Sequence, residues 1–144
     1  MKQGNDLTKK APVSPRKRVL GFALLPRTIE KCRALIWGNI GEYNYDCPFD
    51  NALFSWKGIK GSDLKAYIAE GRTDEEIAEW VKAHGVPKTD KEIEKWSDGL
   101  MLYNMSHDPD SFAWLQERNI SLGIPKDSPL VDMLEADDKA SFKK

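Results

Sequence analysis

Apolar residues recur at helical spacing along most of this chain. One predicted helix begins at Leu25 and ends at Gly38. Its apolar stripe consists of residues three or four positions apart, namely Ile29, Cys32 and Ile36. Pro26 suits the first turn, where its missing N–H costs nothing, and a glycine often ends a helix in the left-handed conformation. A shorter helix is predicted over residues 51–57, again ended by a glycine.

The second half of the chain contains stronger helix-start signals. Thr73 with Glu76, and Thr89 with Glu92, have the spacing of capping boxes, in which each side chain bonds the other residue's backbone N–H. Three further starts are predicted at polar residues that follow a glycine or precede a proline: Ser62, Asp108 and Ser128. Gly99 lies inside the longest predicted helix and costs about 1 kcal/mol there relative to alanine. We therefore expect a close helix crossing at Gly99.

The apolar segment 19–25 contains one glycine and is consistent with either a buried strand-like segment or a helical turn. No segment shows the alternating β-branched pattern typical of a strand, and no internal repeat is present. The predicted fold class is therefore all-α, a single compact domain of about six or seven helices over residues 19–136. A basic, partly extended or disordered arm (1–18) precedes it, and a frayed tail (137–144) follows.

The composition is that of one globular domain. A chain of 144 residues with five Trp, five Phe and four Tyr can bury a core without a disulfide or a metal. No apolar run approaches the roughly 18 residues that a membrane span requires, so we expect no membrane partner. The polar start lacks a signal segment, and the two cysteines show no CxxC spacing. These features favour a reducing cytoplasm and argue against a structural metal site.

The charge is distributed unevenly along the chain. Residues 1–60 contain eleven Lys and Arg against five Asp and Glu, whereas residues 61–144 contain eleven against eighteen. This asymmetry indicates either a basic face for nucleic acid or an anionic ligand, or two halves that attract one another in the fold. Because no RNA-binding signature and no helix-turn-helix motif is present, we do not expect nucleic-acid binding.

The first predicted helix carries two neighbouring cations. Arg27 and Lys31 are four residues apart, where like charges repel, and a cation in the first turn also opposes the helix dipole. Both penalties indicate a negatively charged partner. That partner is either an internal carboxylate, with Glu42, Asp46 and Asp50 nearby in sequence, or a bound anion.

The loop after this helix, GNIGEYNYDCP, is rich in polar and aromatic groups. A tyrosine hydroxyl needs a hydrogen-bond partner when it is buried. Cys47 precedes a predicted helix start, where a thiol can be reactive, although most free cysteines are buried and inert. The predicted ligand-binding residues are the polar groups of this helix and loop: Arg27, Lys31, Glu42, Tyr43, Asp46 and Cys47. No catalytic residue, cofactor or metal ligand is assigned.

Three stretches within the first sixty residues carry distinctive motifs: DLTKKAPVSPRKRVLGF, LPRTIEKCRA and GEYNYDCPFDNALFSWKGI. They resemble a family of small bacterial proteins catalogued only as a domain of unknown function. Its members share an SPR run, a Pro-Arg-x-Ile-Asp-Lys-type helix and a Gly-Glu-Tyr-x-x-x-Cys-Pro loop. Glu30 stands where the family has Asp, which keeps the charge. The resemblance implies a mostly helical single domain and brings no known activity, substrate or cofactor.

Two functions from different classes follow from these patterns. In the first, the domain binds a small molecule or an anion at a polar site built by the helix and loop over residues 25–50. In the second, it is a non-enzymatic interaction or scaffold domain, and the charges of residues 25–50 form internal ion pairs. An aromatic surface would then bind another chain, or a second copy in a homodimer.

Overall fold

The computed structural model describes residues 5–142, which form seven helices and one short β-hairpin. The elements in chain order are β1 (Arg18–Val19), β2 (Phe22–Ala23), α1 (Leu25–Trp37), α2 (Pro48–Lys57), α3 (Gly61–Ile68), α4 (Asp74–Ala83), α5 (Asp90–Leu100), α6 (Pro109–Ser121) and α7 (Leu130–Ser141). The hairpin is the only sheet in this range, so the predicted all-α class is confirmed. No helix among these residues is both long enough and apolar enough to cross a membrane.

The apolar segment 19–25, for which a strand and a helical turn were both possible, forms most of the hairpin. β1 and β2 pair antiparallel, and the two residues between them, Leu20 and Gly21, have φ angles of 49° and 85°. Positive φ at both turn positions suits the right-handed twist of a two-residue hairpin. The Oγ of Ser97 accepts from the Ala23 N–H at 2.9 Å and donates to the Gly21 carbonyl at 2.8 Å. The hairpin is therefore attached to α5, immediately before α1 begins.

Two hydrophobic clusters form the core. The larger one surrounds β2 and α1, and its fully buried members include Phe22, Leu25, Ile29, Phe54, Ile77 and Ile93. The smaller one lies between α6 and α7 and contains Leu115, Leu130 and Met133. Phe49 and Tyr103 are partly buried and pack against both clusters. These two rings therefore join the C-terminal helices to the rest of the domain.

Most of the predicted helix ends are confirmed. α1 ends at Gly38, whose φ is 80°, and both predicted capping boxes form. Two predicted starts are wrong. Ser62 lies inside α3. The N-cap of this helix is Lys60, the last residue with an extended backbone before the helix begins. The N-cap of α7 is Pro129, because the Ser128 hydroxyl donates to a carbonyl of its own turn at 2.7 Å.

The described part of the basic arm, residues 5–17, forms turns and extended segments. Leu7 is buried, and the Ser14 hydroxyl donates to Glu135 of α7 at 2.6 Å. Arg16 pairs with the same carboxylate at 2.9 Å and also with a second carboxylate of α7. The arm is thus attached to the last helix. Residues 1–4 lie outside the described range.

The C-terminal residues differ from the frayed tail predicted over residues 137–144. α7 continues to Ser141, and Asp138 is buried because its carboxylate is bound by groups from α1 and from the loop after it. The charged sequence DDKASFKK indicated a solvated end, but the second of its aspartates faces inward. Lys143 and Lys144 are not among the described residues.

The close helix crossing expected at Gly99 is also absent. No atom outside the local backbone lies within 4 Å of the position that a Cβ on Gly99 would take. Gly99 instead borders an open cavity. Gly85 is the opposite case, because its φ is 74° and a Cβ there would overlap the carbonyl oxygen of Lys57.

We expect Gly99→Ala to raise the free energy of unfolding by roughly 0.5–1 kcal/mol, because alanine loses less conformational entropy and meets no neighbour in α5. Gly85→Ala is the matched control and should lower the same quantity, because φ is positive there. Urea-induced unfolding measures both. A loss of stability in Gly99→Ala would show that another backbone approaches this position closely.

Candidate functional site

Arg27 forms the first of two buried ion pairs on α1. Its Nη1 and Nη2 lie 2.7 Å and 3.2 Å from the two carboxylate oxygens of Asp138, and the arginine is 4% exposed. The Tyr43 hydroxyl donates to the same carboxylate at 2.8 Å, and the Arg27 Cζ lies 5.6 Å from the centre of the Tyr43 ring. The Arg27 guanidinium is therefore paired with both oxygens of one carboxylate of the chain and also interacts with an aromatic ring.

Lys31 forms the second buried pair, one turn further along α1. Its Nζ lies 3.0 Å from Asp50 Oδ1 and 3.5 Å from the Cys47 Sγ. The Thr28 hydroxyl donates to Asp50 at 2.7 Å, and the Asp46 N–H donates to its other oxygen at 2.9 Å. Asp50 is fully buried, so these donors replace the water that its charge would otherwise bind. The loop after α1 is held in place by this carboxylate.

Five of the six residues predicted to bind a ligand fall into two separate groups. Arg27 and Tyr43 meet at Asp138, whereas Lys31, Asp46 and Cys47 meet at Asp50. Glu42 belongs to neither group; it is exposed and lines a cavity of about 350 Å³ beside Tyr43. Both cations have internal carboxylate partners, and ligand binding by these six residues stays a prediction.

One of the two carboxylate partners is expected from the sequence. Asp50 is among the three acids near the cations in the chain. Asp138 was missed because it belongs to the segment that was predicted to be a frayed tail. The spacing of Asp138 from Val131 and Leu134, seven and four residues away, is the signal in the sequence that could have placed it on the inner face of a last helix.

The two cysteines of the chain have different surroundings. Cys32 is fully buried in α1, and this burial raises the pKa of its thiol from an ordinary value of 9.0 to about 12. Cys47 is half-buried as the N-cap of α2, where its Sγ accepts from the Asp50 N–H at 3.5 Å. The neighbouring Tyr45 donates its hydroxyl to the Gly61 carbonyl at 2.7 Å, and burial raises its pKa too. Cys32 is therefore a structural thiol, whereas Cys47 is accessible from a cavity described below.

A larger cavity, which the sequence analysis did not identify, lies between α2 and α5. Its volume is about 620 Å³. The indole rings of Trp56 and Trp96 stack in its wall with centroids 5.0 Å apart, and Gly99 leaves one side open. Lys88 and Lys95 lie at its edge, and the Lys88 Nζ is 4.6 Å from the centre of the Trp56 ring. The cavity thus combines flat apolar walls with two cations.

The two lysines that line this cavity form no ion pair within the part of the chain that the structure describes. Neither Lys88 nor Lys95 forms an ion pair with any residue between 5 and 142. Glu92 also borders the cavity, but its carboxylate accepts from the Thr89 N–H at 2.8 Å as part of the capping box. That bond is the main reason why the pKa of Glu92 is lowered.

A buried lysine lies next to the same wall. Lys57 follows Trp56 in α2, is fully buried, and donates to the carbonyls of His84 and Val86, the latter at 2.8 Å. No described carboxylate pairs with it either. Burial and the nearby charge of Lys88 lower the pKa of Lys57. Three lysines therefore lie in or next to the wall of the cavity, against one carboxylate in its lining, that of Glu92.

A second, smaller cavity of about 310 Å³ lies between α2 and the α6–α7 pair. Its walls are almost entirely apolar and include Phe49, Met105, Trp114, Met133 and Leu134, with the Cys47 thiol at one side. Ala52 and Tyr103 line both this cavity and the larger one. The two cavities are therefore neighbours that share one boundary.

Possible metal ligands are dispersed in the fold. Among residues 5–142, no three His, Cys, Asp or Glu side chains come together in a group that could hold a metal ion.

These features define a small all-α domain with internally paired cations on its first helix and an aromatic cavity beside its second. The family model described as a domain of unknown function, DUF5069, matches residues 9–140, and the chain belongs to that family. The resemblance inferred from the motifs of the first sixty residues is thereby confirmed. The comparison with curated proteins found no match.

We expect Arg27→Ala to lower the free energy of unfolding by about 3–5 kcal/mol, because it leaves the buried Asp138 charge without its partner. Arg18→Ala is the matched control, since its pair with Asp98 is exposed and should contribute less than about 1 kcal/mol. Urea-induced unfolding compares the two. Equal small losses would contradict a structural role for the Arg27 pair.

We expect the stability of the wild type to fall faster with rising pH than that of Cys32→Ala. The folded thiol has a pKa of about 12 against 9.0 ordinarily, so both states keep the proton below pH 9. Above pH 9 the unfolded chain loses the Cys32 proton while the folded protein keeps it. The free energy of unfolding therefore falls by about 1.4 kcal/mol per pH unit until the pH approaches the pKa of the folded thiol.

Urea-induced unfolding at several pH values from neutral to about pH 10 tests this difference in slope. The tyrosines with raised pKa contribute less than Cys32 over this range, because a tyrosine in the unfolded chain has an ordinary pKa of 10.0 and keeps most of its protons below that pH. Parallel pH profiles for the two proteins would show that Cys32 ionises as readily in the folded chain as in the unfolded one.

Proposed function

We propose that this domain is a small-molecule-binding module whose ligand is an organic anion with a flat or apolar body, bound in the α2–α5 cavity. The observation that carries the proposal is the pair of stacked indoles of Trp56 and Trp96 beside two lysines that form no ion pair with any residue between 5 and 142. Aromatic walls supply apolar contact for the body of a ligand, and a few charged groups at the edge determine its orientation.

The size of the cavity supports this proposal. A volume of about 620 Å³ falls within the range of roughly 300–1,000 Å³ that is typical of small-molecule sites. A side chain at position 99 would project into this space, and glycine leaves it open at a cost in helix stability. A helix-destabilising residue that no packing contact requires is consistent with a position kept free for a ligand.

The distribution of charge supports an anion. Arg27 and Lys31 are already neutralised by Asp138 and Asp50, so an added anion would have to displace a buried internal partner. Lys88 and Lys95 form no ion pair with a described carboxylate, and the acid that lines the cavity beside them, Glu92, is bound to the Thr89 N–H. The proposal therefore keeps the anionic ligand expected from the sequence and moves its charged contacts from α1 to the edge of α5.

The interaction or scaffold function is the second candidate. The internal pairing of Arg27 and Lys31 is what this hypothesis expects, and Leu102 and Ile120 are 79% and 60% exposed. Exposed apolar side chains favour association with another chain or with a second copy. A sedimentation mass that stays at the 16.4 kDa of one chain at all concentrations would rule out the homodimer.

We expect naphthalene-2-carboxylate to bind the wild type roughly tenfold more tightly than naphthalene-2-carboxamide, a difference of about 1.4 kcal/mol. The two probes have the same ring and differ in charge. The double variant Lys88→Gln, Lys95→Gln should bind both equally, because the charged contacts are gone. Isothermal titration calorimetry measures the affinities.

Lys91→Gln is the control for that experiment, because Lys91 is exposed on α5 and does not line the cavity. It should leave the preference for the carboxylate unchanged. Binding of neither probe at millimolar concentration, or equal loss of preference in Lys91→Gln, would contradict an anion site at Lys88 and Lys95.

A further inference from the structure

The two cavities beside α2 have complementary chemistry. The larger one, between α2 and α5, has its cations at Lys88 and Lys95. The smaller one, between α2 and the α6–α7 pair, has no charged side chain in its lining. Their shared boundary consists of Ala52 and Tyr103. The larger cavity therefore suits the charged head of an amphipathic ligand, and the smaller cavity suits its apolar tail.

The smaller cavity lies where the two hydrophobic clusters of the core meet. Phe49 and Tyr103 touch both clusters, and both rings also line this cavity. Packing between the clusters is thus incomplete, although interiors are normally filled to crystal density. Its lining contains Met105 and Met133, whose unbranched side chains adapt to a flexible apolar chain.

We propose that the ligand of this domain is an amphipathic carboxylate of the fatty-acid class, with its head at Lys88 and Lys95. Its hydrocarbon tail passes Ala52 and Tyr103 and fills the cavity between α2 and the α6–α7 pair. This inference rests on the proposed function, because the head occupies the same α2–α5 cavity. Of the two residues that line both cavities, Ala52 has the smaller side chain, so the tail is expected to cross beside it.

Alkylation of Cys47 tests the position of the tail independently of the binding affinity. Cys47 is half-buried and is among the residues that line the smaller cavity but not the larger one. A tail in this cavity will shield the thiol from alkylation, whereas a ligand confined to the α2–α5 cavity will leave it accessible. The Cys32→Ala variant keeps Cys47 as the single cysteine of the chain and serves as the background for labelling.

The experiment compares butanoate, octanoate and dodecanoate, each below its micelle concentration, with naphthalene-2-carboxylate as the short, tail-less probe. We expect the affinity to rise roughly fourfold for each added methylene, which corresponds to about 0.8 kcal/mol, until the smaller cavity is full. Saturating dodecanoate should slow the alkylation of Cys47 by iodoacetamide at least tenfold, whereas naphthalene-2-carboxylate should not change it.

Two variants test the position of the tail. Leu134→Trp fills the smaller cavity, and Trp114→Glu places a charge in it at a half-exposed position that tolerates substitution. Both should abolish the dependence on chain length and leave the affinity for naphthalene-2-carboxylate unchanged. The second variant keeps the test decisive if the first one does not fold.

The outcomes separate this inference from the proposed function. If naphthalene-2-carboxylate binds but affinity does not rise with chain length and Cys47 is not protected, the fatty-acid inference is overturned and the anion site remains. If the dependence on chain length survives both variants, the tail lies elsewhere and the inference is again overturned. If no carboxylate binds at all, the proposed function is overturned with it.

Discussion

The structure depends on pairing basic groups from the first half of the chain with carboxylates from the second. Four arginines of the first forty residues bind acids of later helices, and these pairs are Arg16 with Asp132, Arg18 with Asp98, Arg27 with Asp138, and Arg33 with Asp74. Three of them leave one or both partners substantially exposed and contribute modestly. The Arg27 pair is buried, so separating its charges would leave each one unsolvated. The uneven charge of the sequence thus reflects attraction between its two halves.

Local chemistry explains which parts of the fold could be predicted from sequence. The capping boxes at Thr73 and Thr89 and the left-handed ending at Gly38 involve neighbours within four residues, and all three form as expected. The hairpin could not be assigned, because its strands are two residues long and its turn is held by Ser97, far away in sequence. Asp138 was missed for a similar reason, since its partner lies 111 residues earlier.

The candidate site was predictable only in part, again for a physical reason. Neighbouring like charges at Arg27 and Lys31 correctly indicated that each needed a negative partner. Whether each partner is a carboxylate of the chain or a bound anion depends on long-range packing, which the spacing of residues along the sequence does not reveal. The α2–α5 cavity brings together Trp56 and Trp96, forty residues apart, and is recognisable only once both helices are placed. The glycine at position 99 suggested a close helix crossing, but a glycine within a helix does not by itself show that another backbone packs against it, and the structure has open space there.

The small size of the second cluster has a consequence for the order in which this domain opens. Only Leu115, Leu130 and Met133 are fully enclosed between the last two helices, too few to hold a helical hairpin together without the rings of Phe49 and Tyr103. Amide protons of α6 and α7 are therefore expected to exchange through a sub-global opening, at a lower free energy than those around β2. That opening would also release the arm, which is bound to α7 through Ser14 and Arg16. We therefore expect α6 and α7 to open as one unit, joined to the rest of the domain by the Phe49 and Tyr103 rings and by the ion pairs of α7.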